Sequence, residues 1–161
     1  MKVIFLILSM FNYFLLSAQD KEVKEQIDLI ISIDGSIVKT ISQSKIMVAN
    51  SKGDVKSIPV FYHPGNLSLF KVDSEYILSL SDSTNLALEF GNYEYTKTGN
   101  QHFKTYNIKI GKNWLKQPYI VLLIYNTDKK QYKGKLDPIP GTNYTFELDY
   151  PGGQMLRVRK K

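Results

Sequence analysis

His63 and His102 are the only imidazoles in the 161-residue chain, and cysteine is absent. A hydrolytic triad would need one of these histidines beside an activated serine and an orienting carboxylate. His63 lies in Tyr62-His63-Pro64-Gly65-Asn66, a turn-forming loop, and His102 follows Thr98-Gly99-Asn100-Gln101 and opens a strand. No serine occupies a Gly-x-Ser-x-Gly elbow or a Ser-x-x-Lys motif with its supporting elements. Glycoside hydrolysis would instead need two carboxylates held about 5–10 Å apart. Glu89, Glu94 and Glu147 fall at outward positions of strands, so they are expected to form solvated faces. Asp73-Ser74-Glu75 and Ser81-Asp82-Ser83-Thr84-Asn85 offer oxygen ligands without the spacing of a calcium loop. The lack of cysteine excludes disulfides, thiolate zinc sites, iron–sulfur ligation and a thiol nucleophile. There is no Gly-x-Gly-x-x-Gly and no Walker lysine. The residues therefore assign no catalytic group, no metal and no cofactor.

Aromatic side chains offer the better lead. Tyr93 and Tyr95 share one face of a strand by its period of two. Trp114 sits in the polar stretch Gly111-Lys112-Asn113-Trp114-Leu115-Lys116. A large ring there is either a core plug or a contact residue. Sandwich modules that bind glycans present coplanar rings, which stack on the apolar face of a sugar. Trp114, Tyr93, Tyr95, Lys112 and Lys116 are therefore the candidate ligand-binding residues, with a glycan or another envelope protein as partner. Lys129, Lys130, Lys133 and Lys135 extend the basic surface.

The net charge of +6 is unevenly placed. Residues 19–96 carry 7 Lys against 11 acidic residues, and residues 97–161 carry 13 Lys and Arg against 4 acidic ones. No block of five like charges occurs, so the lysines are expected mainly on solvated strand faces, and nucleic acid is not an expected partner. Met1-Lys2, the apolar run Val3–Leu16 and the small residues Ser17-Ala18 match a secretory signal peptide cleaved after Ala18. A spanning helix needs about 20 apolar residues, more than this run supplies, so no transmembrane helix is expected in the mature chain. The ending Ser17-Ala18-Gln19 resembles the leaders of exported proteins from Bacteroidetes-type bacteria. That resemblance implies a periplasmic or extracellular location for residues 19–161, read as one domain.

The body of the chain must then position these groups, and it reads as short strands. Ile27, Leu29, Ile31 and Ile33 alternate with Asp28, Ile30, Ser32 and Asp34, and Asp34-Gly35 predicts a type I′ hairpin. Gly91-Asn92 is expected to turn Asn85–Phe90 back into Tyr93–Lys97. Pro151-Gly152-Gly153 does the same for Tyr144–Tyr150 and Met155–Arg159. Ser44–Ala49, Asp54–Phe61, Phe103–Ile110 and Tyr119–Tyr125 add further strands, the last apolar on both faces and so central. Leu67–Val72 and Glu75–Leu80 read as two strands joined at Asp73-Ser74. Pro59 and Pro118 belong at edges, bulges or strand starts.

These elements predict an all-β fold, an antiparallel two-sheet β-sandwich, with a barrel as the alternative. Pro140-Gly141-Thr142-Asn143-Tyr144 resembles the end of an immunoglobulin-like or transthyretin-like sandwich, which implies that Tyr144 bonds back to its own corner. Gly141, Tyr144, Gly152 and the basic run Arg157–Lys161 resemble sorting domains of type IX secretion, although the Pro-Asn-Pro signature of those domains is missing. The expected function is that of an exported, non-enzymatic binding or envelope and extracellular assembly module. A small secreted hydrolase or carbohydrate-active enzyme is the second reading, and a subunit pairing through an edge strand the third.

Overall fold

The computed structural model describes residues 24–50, 53–95 and 99–155. The leader at 1–18 and the basic run at 156–161 lie outside them. The chain forms β1 (Lys24–Ile27), β2 (Leu29–Ile33), β3 (Ser36–Ile37), β4 (Ser42–Ala49), β5 (Val55–Pro59), β6 (Phe61–His63) and β7 (Asn66–Phe70). Then come α1 (Lys71–Ser79), β8 (Asn85–Tyr95), β9 (Gln101–Ile110) and a 3₁₀ helix (Lys112–Lys116). The described chain ends with β10 (Ile120–Asn126), β11 (Tyr144–Tyr150) and β12 (Gly153–Met155).

Three sheets result, in the orders β1-β7-β6, β12-β11-β10-β2-β3 and β5-β4-β8-β9. They pack together as an all-β sandwich and close no barrel. Every pairing is antiparallel except β10 with β2, which is parallel. Ile27, Leu29, Ile31 and Ile33 are all buried as the alternation expects, although Ser32, expected to face outward, is buried as well. The run nevertheless changes sheets at Asp28, whose carbonyl accepts from Ile120 N–H at 2.7 Å. A second crossing occurs at Val60, between β5 on one sheet and β6 on another. The small sheet thereby bridges the two larger ones. Tyr62 ties that bridge down: its hydroxyl accepts from Ile31 N–H and donates to the Val38 carbonyl, at 3.2 and 3.1 Å.

Asp34 and Gly35 take φ of 53° and 86°, as a type I′ turn requires. Pro59 ends β5, at the edge of its sheet. Inward parity along β10 buries Ile120, Leu122, Ile124 and Asn126, while Val121, Leu123 and Tyr125 are half-buried.

Two expected elements are corrected. Residues 71–79 form a helix rather than a strand end, a turn and a second strand. Buried Ser74 and Ile77 and partly buried Tyr76 and Leu80 recur at three- and four-residue spacing, as one helix face requires, and Asp73 favours the first turn of a helix. The helix docks through buried Ser74, which donates to the Glu25 carboxylate. Gly91-Asn92 is not a turn either: β8 runs unbroken through it, with Gly91 opposite Thr105 and Asn92 opposite Lys104. Gly91 is needed for another reason, since a Cβ there would fall inside the Phe103 ring.

The backbone of Tyr144 bonds back to its corner, its carbonyl accepting from Ile139 N–H and the Thr142 hydroxyl at 2.9 Å each, but its side chain does not. Its hydroxyl accepts from Asn107 N–H at 2.7 Å and donates to the Asn107 carbonyl at 3.0 Å. Asn107 lies on the facing sheet, and the Tyr144 ring meets Tyr106 at 5.0 Å. Tyr144→Phe removes both bonds and is expected to cost about 1–3 kcal/mol. Amide hydrogen exchange would show faster opening at Asn107; unchanged protection there would show that the hydroxyl does not hold the strand.

Candidate functional site

The structure separates the candidate residues into two groups. Lys112 and Trp114 line a groove of about 550 Å³ between the 81–85 loop and the 3₁₀ helix. Tyr93 and Tyr95 lie at the far end of the β8–β9 ladder. Leu86 pairs with Ile110 at the groove end and Tyr95 with Gln101 at the other, about 30 Å away at strand rise. Lys116 is exposed at the end of the 3₁₀ helix and is not among the groove's lining residues.

An exposed stacking platform at Trp114 is ruled out by its burial: the residue is only 6% exposed and joins the core cluster. Lys112 is committed as well. Its ammonium binds Asp82 at 2.6 Å and the Leu80 carbonyl at 3.0 Å, pinning the 80–85 loop against the 3₁₀ helix. That bond holds the Asp82 carboxyl below the usual carboxylate range. A cation at this loop would have to displace the lysine. Among the described residues no cluster of three or more His, Asp or Glu could hold a metal ion.

Tyr93 and Tyr95 do share the outward face of β8, 50% and 73% exposed. Phe103 joins them from β9, 43% exposed, its ring 5.0 Å from that of Tyr93 at an interplanar angle of 59°. The two rings are not coplanar, which does not suit the flat stacking of a sugar. β9 itself ends its sheet. Asn107 turns both its N–H and C=O away from β8, to Tyr144. By the alternation of an antiparallel ladder, the backbone groups of Phe103 and Thr105 point to the same open side. Among the described residues the edge is thus blunted at Asn107 and unpaired before it, beside the exposed rings.

A third constellation was not legible as a site. Asn126, fully buried at the end of β10, donates its N–H to Asp34 Oδ1 at 2.8 Å. Its side-chain amide donates to Asp34 Oδ2 at 2.7 Å and Glu94 Oε1 at 2.9 Å. Its Oδ1 accepts from Lys104 Nζ at 2.5 Å. The Tyr106 hydroxyl donates to Glu94 Oε1 at 2.6 Å, with Asn126 Oδ1 at 3.1 Å as the alternative acceptor. Lys129 Nζ lies 2.6 Å from Asp34 Oδ2 and 3.5 Å from Glu94 Oε2. Two carboxylates and two ammonium groups balance, and the polar groups of one sheet meet those of the other.

Glu94 was expected on a solvated outward face, across a hairpin from Glu89. It instead points inward on the same strand as Glu89, because β8 continues where a turn was expected. His102 lies directly opposite Glu94, exposed, and His63 is exposed at the β6–β7 turn of a different sheet. Both Glu94 oxygens already have partners, so the pair makes no free acid–base dyad.

Charge states follow from burial and partners. Burial pushes the Lys104 ammonium below the usual lysine value, against the pull of Asp128, Glu94 and Asp34. Burial also opposes the charge on Lys129, but its hydrogen bond to Asp34 and the nearby carboxylates outweigh it and hold that ammonium above the usual value. The hydroxyls of Tyr62, Tyr106 and Tyr144 are all pushed up, by burial first. A raised folded value means stability that is whole below the unfolded value of 10.0 and is lost as pH climbs above it. Lys129 adds to that loss above 10.5, whereas the charged form of Lys104 is disfavoured in the fold, so its opposing gain comes below 10.5 and is complete there. The fold is therefore expected to weaken steeply above about pH 10, by at most about 1.4 kcal/mol per pH unit for each tyrosine. Urea melts across this range would show it, with a shallower fall for Tyr106→Phe. A flat profile would mean that the phenols ionise freely in the folded protein.

No family model matches the chain, and neither a curated protein nor a solved structure does.

Proposed function

We propose that this chain is an exported, non-enzymatic β-sandwich that serves as an envelope or extracellular assembly module, docking a partner protein's extended strand along β9. The open backbone of Phe103 and Thr105 beside the exposed Tyr93, Tyr95 and Phe103 rings carries this reading. An incoming strand would take up main-chain bonds at the edge, and the rings would supply side-chain contact. Isolated surface aromatics are ordinary, but rings clustered on one face next to an unpaired edge favour a protein partner. Export rests on the leader at residues 1–18. No helix among the described residues is long and apolar enough to cross a membrane.

A photo-crosslinking side chain at Thr105, in the native cells, tests the reading. A discrete protein adduct is expected in the exported fraction, absent when the crosslinker stands at Val55 on the opposite edge of the sheet. Phe103→Pro, at a position whose N–H β8 does not use, should abolish the adduct while leaving the melting temperature within a few degrees. Finding no adduct at Thr105, or the same adduct at Val55, would overturn docking at this edge. Recovery of the protein with Met1 intact in the cytoplasm would overturn export.

A further inference from the structure

We infer that the groove between the 81–85 loop and the 3₁₀ helix is a binding site for a small neutral saccharide, independent of the β9 edge. Its volume, about 550 Å³, lies within the range of small-molecule sites. The floor is apolar, built from Leu86, Ile110, Leu148 and the Trp114 ring. Tyr150 forms a wall, and Gly153 holds it there, since a Cβ at Gly153 would collide with the Tyr150 ring. The rim is polar, with the side-chain amides of Asn85 and Asn113 and the carbonyl oxygen of Gln117, whose amide N–H donates to the Asn113 backbone carbonyl at 3.3 Å.

Two observations point to a ligand that accepts hydrogen bonds beside an apolar face. The indole N–H of Trp114 meets no protein acceptor among the described residues, although the residue is only 6% exposed. A buried donor without a partner is costly, and because Trp114 lines the groove, a ligand hydroxyl bound there is the acceptor we assign to it. The Lys112 ammonium is neutralised by Asp82. Lys109 is the one lining charge without an opposite partner among the described residues, and anionic comparators decide whether it, rather than the neutral amides, selects the ligand. A pyranose combines hydroxyl acceptors with an apolar face, the two features this lining separates. Trp114 here contributes the edge of its ring, as a donor, rather than an exposed stacking surface.

Trp114 is the sole tryptophan, so its emission reports on this groove alone. The experiment titrates the full chain with glucose, galactose, mannose, N-acetylglucosamine and their disaccharides, with galacturonate and inorganic phosphate as anionic comparators. A saturable change in Trp114 emission is expected with at least one neutral saccharide. Asn113→Ala with Gln117→Ala should weaken that binding about tenfold or more, with the melting temperature unchanged. Tyr95→Ala, at the far end of the ladder, should leave it intact. The inference is overturned if no neutral saccharide changes the emission, if only the anions do, or if the double variant binds as tightly as the parent.

Discussion

Asn126→Ala is expected to destabilise the protein by about 3–5 kcal/mol, one of the largest effects of any single substitution here. The amide contributes little apolar burial, so the cost comes from what it leaves behind. Asp34 and Glu94 each lose a donor, Lys104 loses the acceptor 2.5 Å away, and Tyr106 loses its alternative acceptor. Asp34 and Glu94 keep Lys129, and Glu94 also keeps the Tyr106 hydroxyl. The cost is therefore that of each lost bond in a buried site, about 1–3 kcal/mol for a group left short of a partner. The melting temperature should fall by roughly 10 °C or more for a chain of this size. Asn126→Asp should be worse, because a third carboxylate would face Asp34 and Glu94. A loss below about 1 kcal/mol in urea unfolding would mean that water refills the site and that the network does not clasp the sheets. A double-mutant cycle with Tyr106→Phe should show coupling of about 0.5–3 kcal/mol, since the two side chains share Glu94 Oε1.

Trp114→Ala is expected to cost about 3–5 kcal/mol, by leaving a cavity under the 3₁₀ helix where the indole packs into the core. Trp114→Phe keeps much of the volume and should cost far less. Thermal unfolding of the two variants separates a core plug from a surface ring. Near-neutral loss for Trp114→Ala would show that the indole contributes contact area rather than packing. The same large cost makes alanine at this position useless for probing the groove, so Asn113 and Gln117 are the residues to vary.

Both predictions rest on groups that the linear pattern treats very differently. Trp114 was open to two readings, because a tryptophan in a polar stretch can plug a core or face a partner. Only the docking of the 3₁₀ helix against α1, a docking that carries Trp114 into the core cluster, decides between them. Asn126 gave one faint signal: it continues the inward parity of Ile120, Leu122 and Ile124, where a polar side chain needs partners. Those partners, Asp34 and Glu94, are 92 and 32 residues away. Asp34 looked like turn chemistry alone, and it does sit in that turn with φ 53°. Gly91-Asn92 reads as a hairpin in the linear pattern, and a turn there puts Glu94 on the solvent face. Once that turn is gone, the period of two carries Glu94 to the inside.

What the sequence by itself determined is local. Period-two burial from Ile27 to Ile31 and from Tyr106 to Ile110, positive φ at Asp34-Gly35 and the edge position of Pro59 all follow from short-range sterics and patterning. These suffice for an all-β sandwich. What only the tertiary structure decided is which strands meet and which polar groups face each other. The sheet changes at Asp28 and Val60, the parallel pairing of β10 with β2 and the Tyr144 hydroxyl on Asn107 join residues far apart along the chain. Short-range preference carries no term for such distant pairings. They are selected by burying apolar faces together while pairing the polar groups that burial takes from water, and that condition exists only in the assembled core.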